Sequence, residues 1–310
     1  ACIPLTCLSL HRKFKSMATI HKSGFVNIIG NPNVGKSTLM NRMVGERLSI
    51  ITSKMQTTRH RIFGIVNGDD FQIVYSDTPG IIKPNYLLQE RMMRFVSSAI
   101  SDADLLLYVT DTFETPEKNA DYLERIAHTE VPVILVINKT DLAKSGEIEL
   151  LIDGWKPRLP NAEIICVSAL TGDNTDVLFD LILKKLPEGP KWFPEDQLTD
   201  KSERFIVSEI IREKILLNYK KEIPYSVEVS VEAFHESDDI IRISSVIYVD
   251  RESQKGIIIG HQGSMLKKVG SEARIDTESF FGKKVFLEIF VKVKKDWRNN
   301  DRLLSGFGYQ

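Results

Sequence analysis

From Gly24 to about Leu186, short apolar runs of strand length alternate with segments whose apolar residues recur at helical spacing. Phe25–Ile29 is a short apolar run of strand length, Leu105–Val109 and Val133–Ile137 are continuous apolar runs, the pattern of strands buried on both faces, and Glu163–Val167 is a shorter last one. Leu39–Val44, Leu87–Ser101 and Pro116–His128 read as helices between them. Ile62–Val66 and Phe71–Ser76 read as a hairpin, because the turn between them opens with Asn67-Gly68. The alternation predicts an open, mostly parallel sheet with helices on both faces. Ligands of such sheets sit beyond the C-terminal ends of the strands, so the residues that follow each strand are the ones to inspect.

After Leu186 the pattern changes. Pro187, Pro190 and Pro194 fall within eight residues, which predicts a linker over 188–203, with Trp192 and Phe193 packed at the junction of two domains. Beyond it Phe205–Tyr219 reads as an amphipathic helix. Tyr225–Ala233 reads as a strand with Val227, Val229 and Val231 on its inner side. Ile240–Val249 is a second strand, Ser264–Phe280 a helix and Lys284–Val293 a last strand. The expected division is a domain over 22–187, the linker, and a smaller domain over 204–300 of order helix, strand, strand, helix, helix, strand.

Composition adds two points. With 310 residues, 42% hydrophobic and 27% charged, the chain is long enough for two cores. The net charge is −1, yet residues 255–310 carry eleven Lys/Arg against six Asp/Glu, so a local +5 is set against −6 elsewhere. A regional basic surplus of this kind suits a phosphate-binding face. Cys2, Cys7 and Cys166 form neither a disulfide framework nor a zinc pattern, and no apolar run approaches the ~20 residues of a membrane span. A protein of the cytoplasm is expected. Ala1–Ser16, basic and without an acidic residue, reads as upstream sequence before Met17, or as an organelle-targeting peptide that would send the protein to an organelle matrix.

The chemistry lies after the strands. Gly30-Asn31-Pro32-Asn33-Val34-Gly35-Lys36-Ser37, followed by Thr38, fits the pattern Gly, four residues, Gly-Lys-Ser/Thr between a strand and a helix. The glycines let successive backbone N–H groups point at one phosphate, and the helix adds its free N-terminal amides. Lys36 can reach the β- and γ-phosphates and Ser37 can offer its hydroxyl to Mg²⁺. Asp77-Thr78-Pro79-Gly80 ends another strand: Asp77 can hold Mg²⁺ through water, and the Gly80 amide can approach the γ-phosphate. Asn138-Lys139-Thr140-Asp141 ends a third. The Asp141 carboxylate can accept both N1–H and the 2-amino group of guanine, a donor pair that adenine lacks. Lys139 can lie along the base, and Ser168-Ala169-Leu170 can give a backbone N–H to guanine O6.

These loops, in this order, resemble the translation-factor-like class of P-loop GTPases. By that resemblance Gln56-Thr57-Thr58-Arg59, with His60 next, is the switch I element, in which Thr58 rather than Thr57 coordinates Mg²⁺ when GTP is bound. Asp77 to Ile81 is switch II. Ile81 stands where Ras-like enzymes place a water-orienting Gln, so slow intrinsic hydrolysis is expected. Asn33 is a candidate K⁺ ligand by its counterpart in some members.

Ile259-Gly260-His261-Gln262-Gly263, continuing into Ser264, resembles the Gly-x-x-Gly loop of KH domains, which clamps about four single-stranded nucleotides. Lys267, Lys268, Lys283 and Lys284 are its candidate basic partners. The combination resembles the Era-like family, an α/β P-loop GTPase domain followed by a smaller α+β, type II-like KH domain. Thr199-Asp200, Glu209-Ile210-Ile211-Arg212-Glu213-Lys214, Glu222-Ile223-Pro224-Tyr225 and Val291 to Arg298 match its C-terminal signature. The resemblance implies GTP/GDP and Mg²⁺ as ligands, K⁺ as a candidate, and GTP-gated binding of the 16S rRNA 3′ end in small (30S) subunit assembly. It also implies a monomer, with peripheral membrane association to be considered. A signalling GTPase whose C-terminal module docks a protein or a membrane is the alternative; Asp141 argues against an ATPase.

Overall fold

The computed structural model describes residues 21–144 and 146–309; the tail, residues 1–16, lies outside them. The first domain is built on β1 (Lys22–Gly30), β2 (Ile62–Asn67), β3 (Phe71–Asp77), β4 (Leu105–Asp111), β5 (Val133–Asn138) and β6 (Glu163–Cys166), in the spatial order β2-β3-β1-β4-β5-β6. Only β2 runs antiparallel, paired to β3 through the Asn67-Gly68 turn. The strands alternate as their period of two requires. Val26, Ile28, Leu105, Leu107 and Val109 face one core with Leu39 and Met40 of α1 (Lys36–Val44) and Leu178 of α5 (Thr175–Lys185). Ile29, Leu106 and Tyr108 face the other with Met92 and Val96 of α2 (Leu87–Ser101), Leu123 of α3 (Ala120–Ala127) and Trp155 of α4 (Glu147–Trp155). The helix expected from Pro116 starts only at Ala120, after Asn119 adopts a left-handed conformation (φ 61°).

The second domain is a three-stranded sheet, β7 (Glu228–Glu236), β8 (Ile240–Val249) and β9 (Lys284–Val293), in that order. β8 and β9 are parallel. Its inner face packs on α6 (Glu203–Asn218), α7 (Glu252–Ile259) and α8 (Ser264–Phe281) through Val229, Ile243, Ile247, Ile211, Ile258 and Val269.

Three expectations change. Trp192 and Phe193 do not sit at the domain junction; they pack on Phe25, with Phe193 also against Phe63, on the first domain alone. The cause is that the linker is zippered to the sheet. Gln72 holds the Trp192 and Phe193 amides, Ile65 N–H donates to Leu198 O (2.9 Å), and Phe63 N–H donates to Asp200 Oδ1 (2.9 Å). The second domain also does not end at 300. A further helix, α9 (Asp301–Gly306), carries Leu304 and then Tyr309 into the core that Met92 and Val96 line, together with Trp297. Finally, α6 buries its polar side as well: Glu209, Arg212, Glu213 and Lys214 are nearly inaccessible, Arg212 and Glu213 against Thr57 and Arg47 of the first domain and Lys214 against Asp276 of α8. Among the described residues no helix is long and apolar enough to cross a membrane.

Candidate nucleotide-binding site and RNA-binding groove

The phosphate loop leaves β1 at Gly30 (φ 148°), where a Cβ would lie 2.1 Å from Val109 O. It enters α1 at Gly35 (φ 94°), where a Cβ would lie 2.3 Å from Asn138 Nδ2. Gly80 passes so close that a Cβ would meet Pro32 N at 2.7 Å. Backbone packing this tight aims amides inward and leaves room for nothing larger than hydrogen. Lys36 is buried and folds back to donate to Gly30 O (3.1 Å) and Asn31 O (2.8 Å). Burial lowers its pKa to about 8, against the pull of Asp77 and Glu114.

Beside it three oxygens converge. Ser37 Oγ donates to Asp77 Oδ2 (2.6 Å), Thr58 Oγ1 donates to the same atom (3.2 Å), and the two hydroxyls lie 2.9 Å apart. Thr57 is turned away, to Lys54 O (2.7 Å) and Thr52 Oγ1 (2.7 Å). Asp77 Oδ1 is buried with no hydrogen-bond partner, and burial raises the carboxyl's pKa despite Lys36. An orphaned carboxylate oxygen beside two hydroxyls fits a hard cation. Among the described residues no cluster of His, Cys, Asp and Glu could hold a metal by itself. A Mg²⁺ site completed by phosphate oxygens fits this donor set. Ile81 is buried in the core, and its N–H donates to Gly30 O (3.1 Å).

At the other end Asn138 ties the loops together, donating to Val34 O (2.8 Å) and accepting from the Ala169 amide (2.9 Å). Of the three amides of Ser168-Ala169-Leu170, that of Ala169 is thus engaged inside the protein, and that of Ser168 donates to Asp173 O (3.1 Å). Asp141 is exposed and its Oδ1 accepts from Ser168 Oγ (2.6 Å), which orients the carboxylate. Lys139 (φ 62°) donates to Asn33 O (2.6 Å) and Asp111 Oδ2 (2.7 Å). Asp111 was not singled out from the sequence, although it ends β4 beside the site as Asp77 ends β3. Asn33 Nδ2 donates to Ser53 O (3.1 Å), joining the phosphate loop to the segment before Gln56. Thr78 turns inward to Ile28 O (2.8 Å). Together Pro32, Asn33, Lys36 to Thr38, Gln56 to Thr58, Gly80 and Lys139 line a cavity of about 390 Å³.

Arg59 and His60 leave this cavity for the second domain. Arg59 is fully buried there and donates to Val227 O (2.7 Å), Glu228 Oε2 (3.2 Å), Tyr225 O (3.2 Å) and Pro224 O (3.3 Å). Arg212, held by Glu209 at 2.6–2.7 Å, donates to Thr57 O. Lys54 donates to Leu216 O and Tyr219 O. His60 stacks on Tyr309 with centroids 4.2 Å apart, and Tyr309 OH donates to Glu228 (2.9 Å). Burial, with the positive charges of Lys201, Arg212 and Arg59 nearby, holds His60 neutral. The same segment therefore touches the nucleotide cavity with one residue and the second domain with the next.

In the second domain Gly260 (φ 74°), Gln262 (φ 49°) and Gly263 (φ 76°) form the turn between α7 and α8, with His261 and Gln262 exposed and Ile259 half-buried. A groove runs from Gly263 along Leu266, Lys267, Gly270 and Arg274 on one wall, and Val285 to Leu287 and Ile289 on the other. The expected lysines do not form one cluster. Lys267 lines the groove, while Lys268 turns toward Glu272 (3.9 Å). Lys283 is paired with Glu236, and with Lys284 it lies beyond the far end of the 18-residue α8, roughly 27 Å along the helix from Gly263.

Residues 25–139 match a family described as 50S ribosome-binding GTPase, and residues 222–298 match the KH domain family. The chain is 49% identical to GTPase Era of Syntrophus aciditrophicus over 93% of its length and 95% of the relative's, and 48% identical to that of Geobacter metallireducens over 93% and 98%. The chain belongs to the Era family of GTPases. Era in complex with MgGDPNP and nucleotides 1506–1542 of 16S ribosomal RNA superposes with a TM-score of 0.89, at 39% identity over 93% of this chain and 99% of that one. An Aquifex aeolicus Era variant bound to GDP and AlF4⁻ matches equally well. The protein is thus a GTP-hydrolysing Era-type enzyme with a C-terminal KH domain.

Proposed function

We propose that this protein uses the GTP cycle to gate binding of the 3′ end of 16S rRNA during assembly of the small ribosomal subunit. The observation that carries the gating is the adjacency of Thr58 and Arg59: Thr58 completes the oxygen set with Ser37 and Asp77, and Arg59 is sealed into the second domain. Any change in how Thr58 is held pulls on the next peptide, and with it on the wall of the RNA-binding domain. A Mg²⁺ ion bound with GTP would neutralise phosphate charge between Ser37, Thr58 and a water held by Asp77. Lys36, the loop amides and the α1 N-terminus bind and orient the phosphates, and Asp141 selects guanine.

The RNA assignment rests on the exposed Gly260–Gly263 loop, on the groove beside it, and on the relative's complex with nucleotides 1506–1542. The 50S description belongs to a family matching 115 residues of the first domain only, whereas the Era relatives align over 93% of the chain, so the small-subunit RNA carries more weight. Asn33 remains the candidate K⁺ ligand, and GTP turnover compared in K⁺ and Na⁺ tests it. The gating is tested by fluorescence anisotropy of a labelled 16S 3′-end oligonucleotide with GTP analogue and with GDP. Tighter binding with the analogue, weakening as salt rises, is expected. Equal affinity in the two states would remove the gate, because a ligand that binds both states equally shifts no population.

A further inference from the structure

The outer face of the KH sheet is covered along one side only. Tyr248 on β8 lies under Phe307 (centroids 5.3 Å), and β7 meets the first domain through Glu228. The other side, along the edge strand β9, is open, and there the outward residues are Phe286, Glu288, Phe290 and Lys292. Phe286 is 46% and Phe290 51% exposed, far more than an aromatic residue needs if it only packs. Their register partners on β8 are Arg242 and Val246, and the Arg242 guanidinium lies 5.8 Å from the centre of the Phe286 ring. Lys292 sits beside Tyr248, whose ring is approached by Lys294 Nζ at 5.1 Å.

Two aromatic faces on a pleated sheet, four residues apart with one outward residue between them and flanked by cations, are the chemistry on which unpaired bases stack. Glu288 between them is the single acid of the outward row on β9, against Arg242, Lys284 and Lys292. The patch is also continuous with the groove, because Phe286 belongs to the groove wall that begins at Gly263 and turns with β9 onto the outer face.

We propose that this face is a second RNA-binding surface, on which nucleotides flanking the groove-bound segment stack against Phe290 and Phe286. The proposal rests on the RNA-binding reading above. A Gly-x-x-Gly clamp holds about four nucleotides, and nucleotides 1506–1542 in the relative's complex far exceed that.

The test is anisotropy on the full-length protein with GTP analogue and two oligonucleotides: one of about four nucleotides that fills the groove, and one lengthened by about six at each end. Phe290→Ala is expected to weaken the longer RNA about five- to fiftyfold and to leave the short one unchanged. Phe290→Trp should retain affinity, while Phe290→Leu, apolar but without an aromatic face, should lose it. Phe290 is half exposed, so an unchanged melting temperature checks that the fold is intact. Equal affinity of wild type and Phe290→Ala for the longer RNA, or of Phe290→Leu and wild type, would overturn the platform while leaving the groove reading in place. If wild type binds neither oligonucleotide, both readings fall.

Discussion

The molecule contains two glycine-cornered loops, the phosphate loop and the Gly260–Gly263 loop, and what surrounds their glycines differs. Around the phosphate loop every glycine is walled in: an added Cβ at Gly30, Gly35 or Gly80 would collide at 2.1–2.7 Å with a carbonyl, a side-chain amide or backbone. Around the KH loop a Cβ at Gly263 would meet nothing within 4 Å, and only Gly260 is hemmed in, by Met265 Cγ and Cβ at 2.7–2.8 Å. The first loop needs glycine because its neighbours are already in place; at Gly263 the second needs it for its left-handed backbone alone. Enclosure suits a small ligand whose every atom is read. An open presentation suits a strand that enters from outside and continues past the loop.

The sharpest way to break this contrast is Gly30→Ala. The clash with Val109 O and the unfavourable φ should cost about 3 kcal/mol or more in urea unfolding, and GTP affinity in a nucleotide titration should fall by the part of it, up to about a hundredfold, that the loop escapes by leaving its binding shape. Next in size is Arg59→Ala, which leaves Glu228 buried without its cation. A stability loss of about 3 kcal/mol is expected in urea unfolding. Adding Glu228→Gln should recover part of it, and RNA affinity should no longer distinguish GTP analogue from GDP.

A smaller effect comes from pH. His60 is held neutral in the fold, its pKa well below 6.5, so the unfolded chain binds a proton that the native chain does not. This contribution to stability is present above about pH 6.5 and is lost as pH falls, by about 1.4 kcal/mol one unit lower. Unfolding midpoints measured between about pH 7.5 and about pH 5.5 should show the loss, and His60→Phe should flatten it. The smallest effect is at the open loop. Gly263→Ala faces only backbone strain of about 1 kcal/mol, so RNA affinity should fall by no more than roughly fivefold, with GTP binding untouched. A collapse of RNA binding in that variant would mean that the loop is more tightly enclosed in the complex than the contrast allows.

Much of this was legible in the chain before any coordinates. The apolar runs from Phe25 to Val167 map onto strands because a strand covered on both faces must be apolar throughout. The phosphate, Asp77 and Asn138–Asp141 loops announce themselves by residue types that few other roles demand together. What sequence did not disclose lies between domains. Arg59 stands out only as part of a switch loop and Glu209 and Arg212 only as part of a family signature; that they are buried depends on a partner surface more than 150 residues away in the chain. Tyr309 and α9 carry no periodicity long enough to read, yet Tyr309 completes the stack on His60. Lys283 and Lys284 were grouped with the KH loop by charge alone, which says nothing of the length of the helix that separates them.

The linker fixes the mechanics of any rearrangement. Because residues 188–200 are stitched to the edge of the first sheet, with Asp200 as the last anchor and α6 starting at Glu203, only Lys201 and Ser202 are left as slack. Two residues span roughly 7 Å fully extended, too little to let the RNA-binding domain drift away. The chain there permits rotation about a fixed pin beside β2 and not separation, and Trp297, Leu304 and Tyr309, seated in the core of the first domain, are the contacts that any such rotation would have to release.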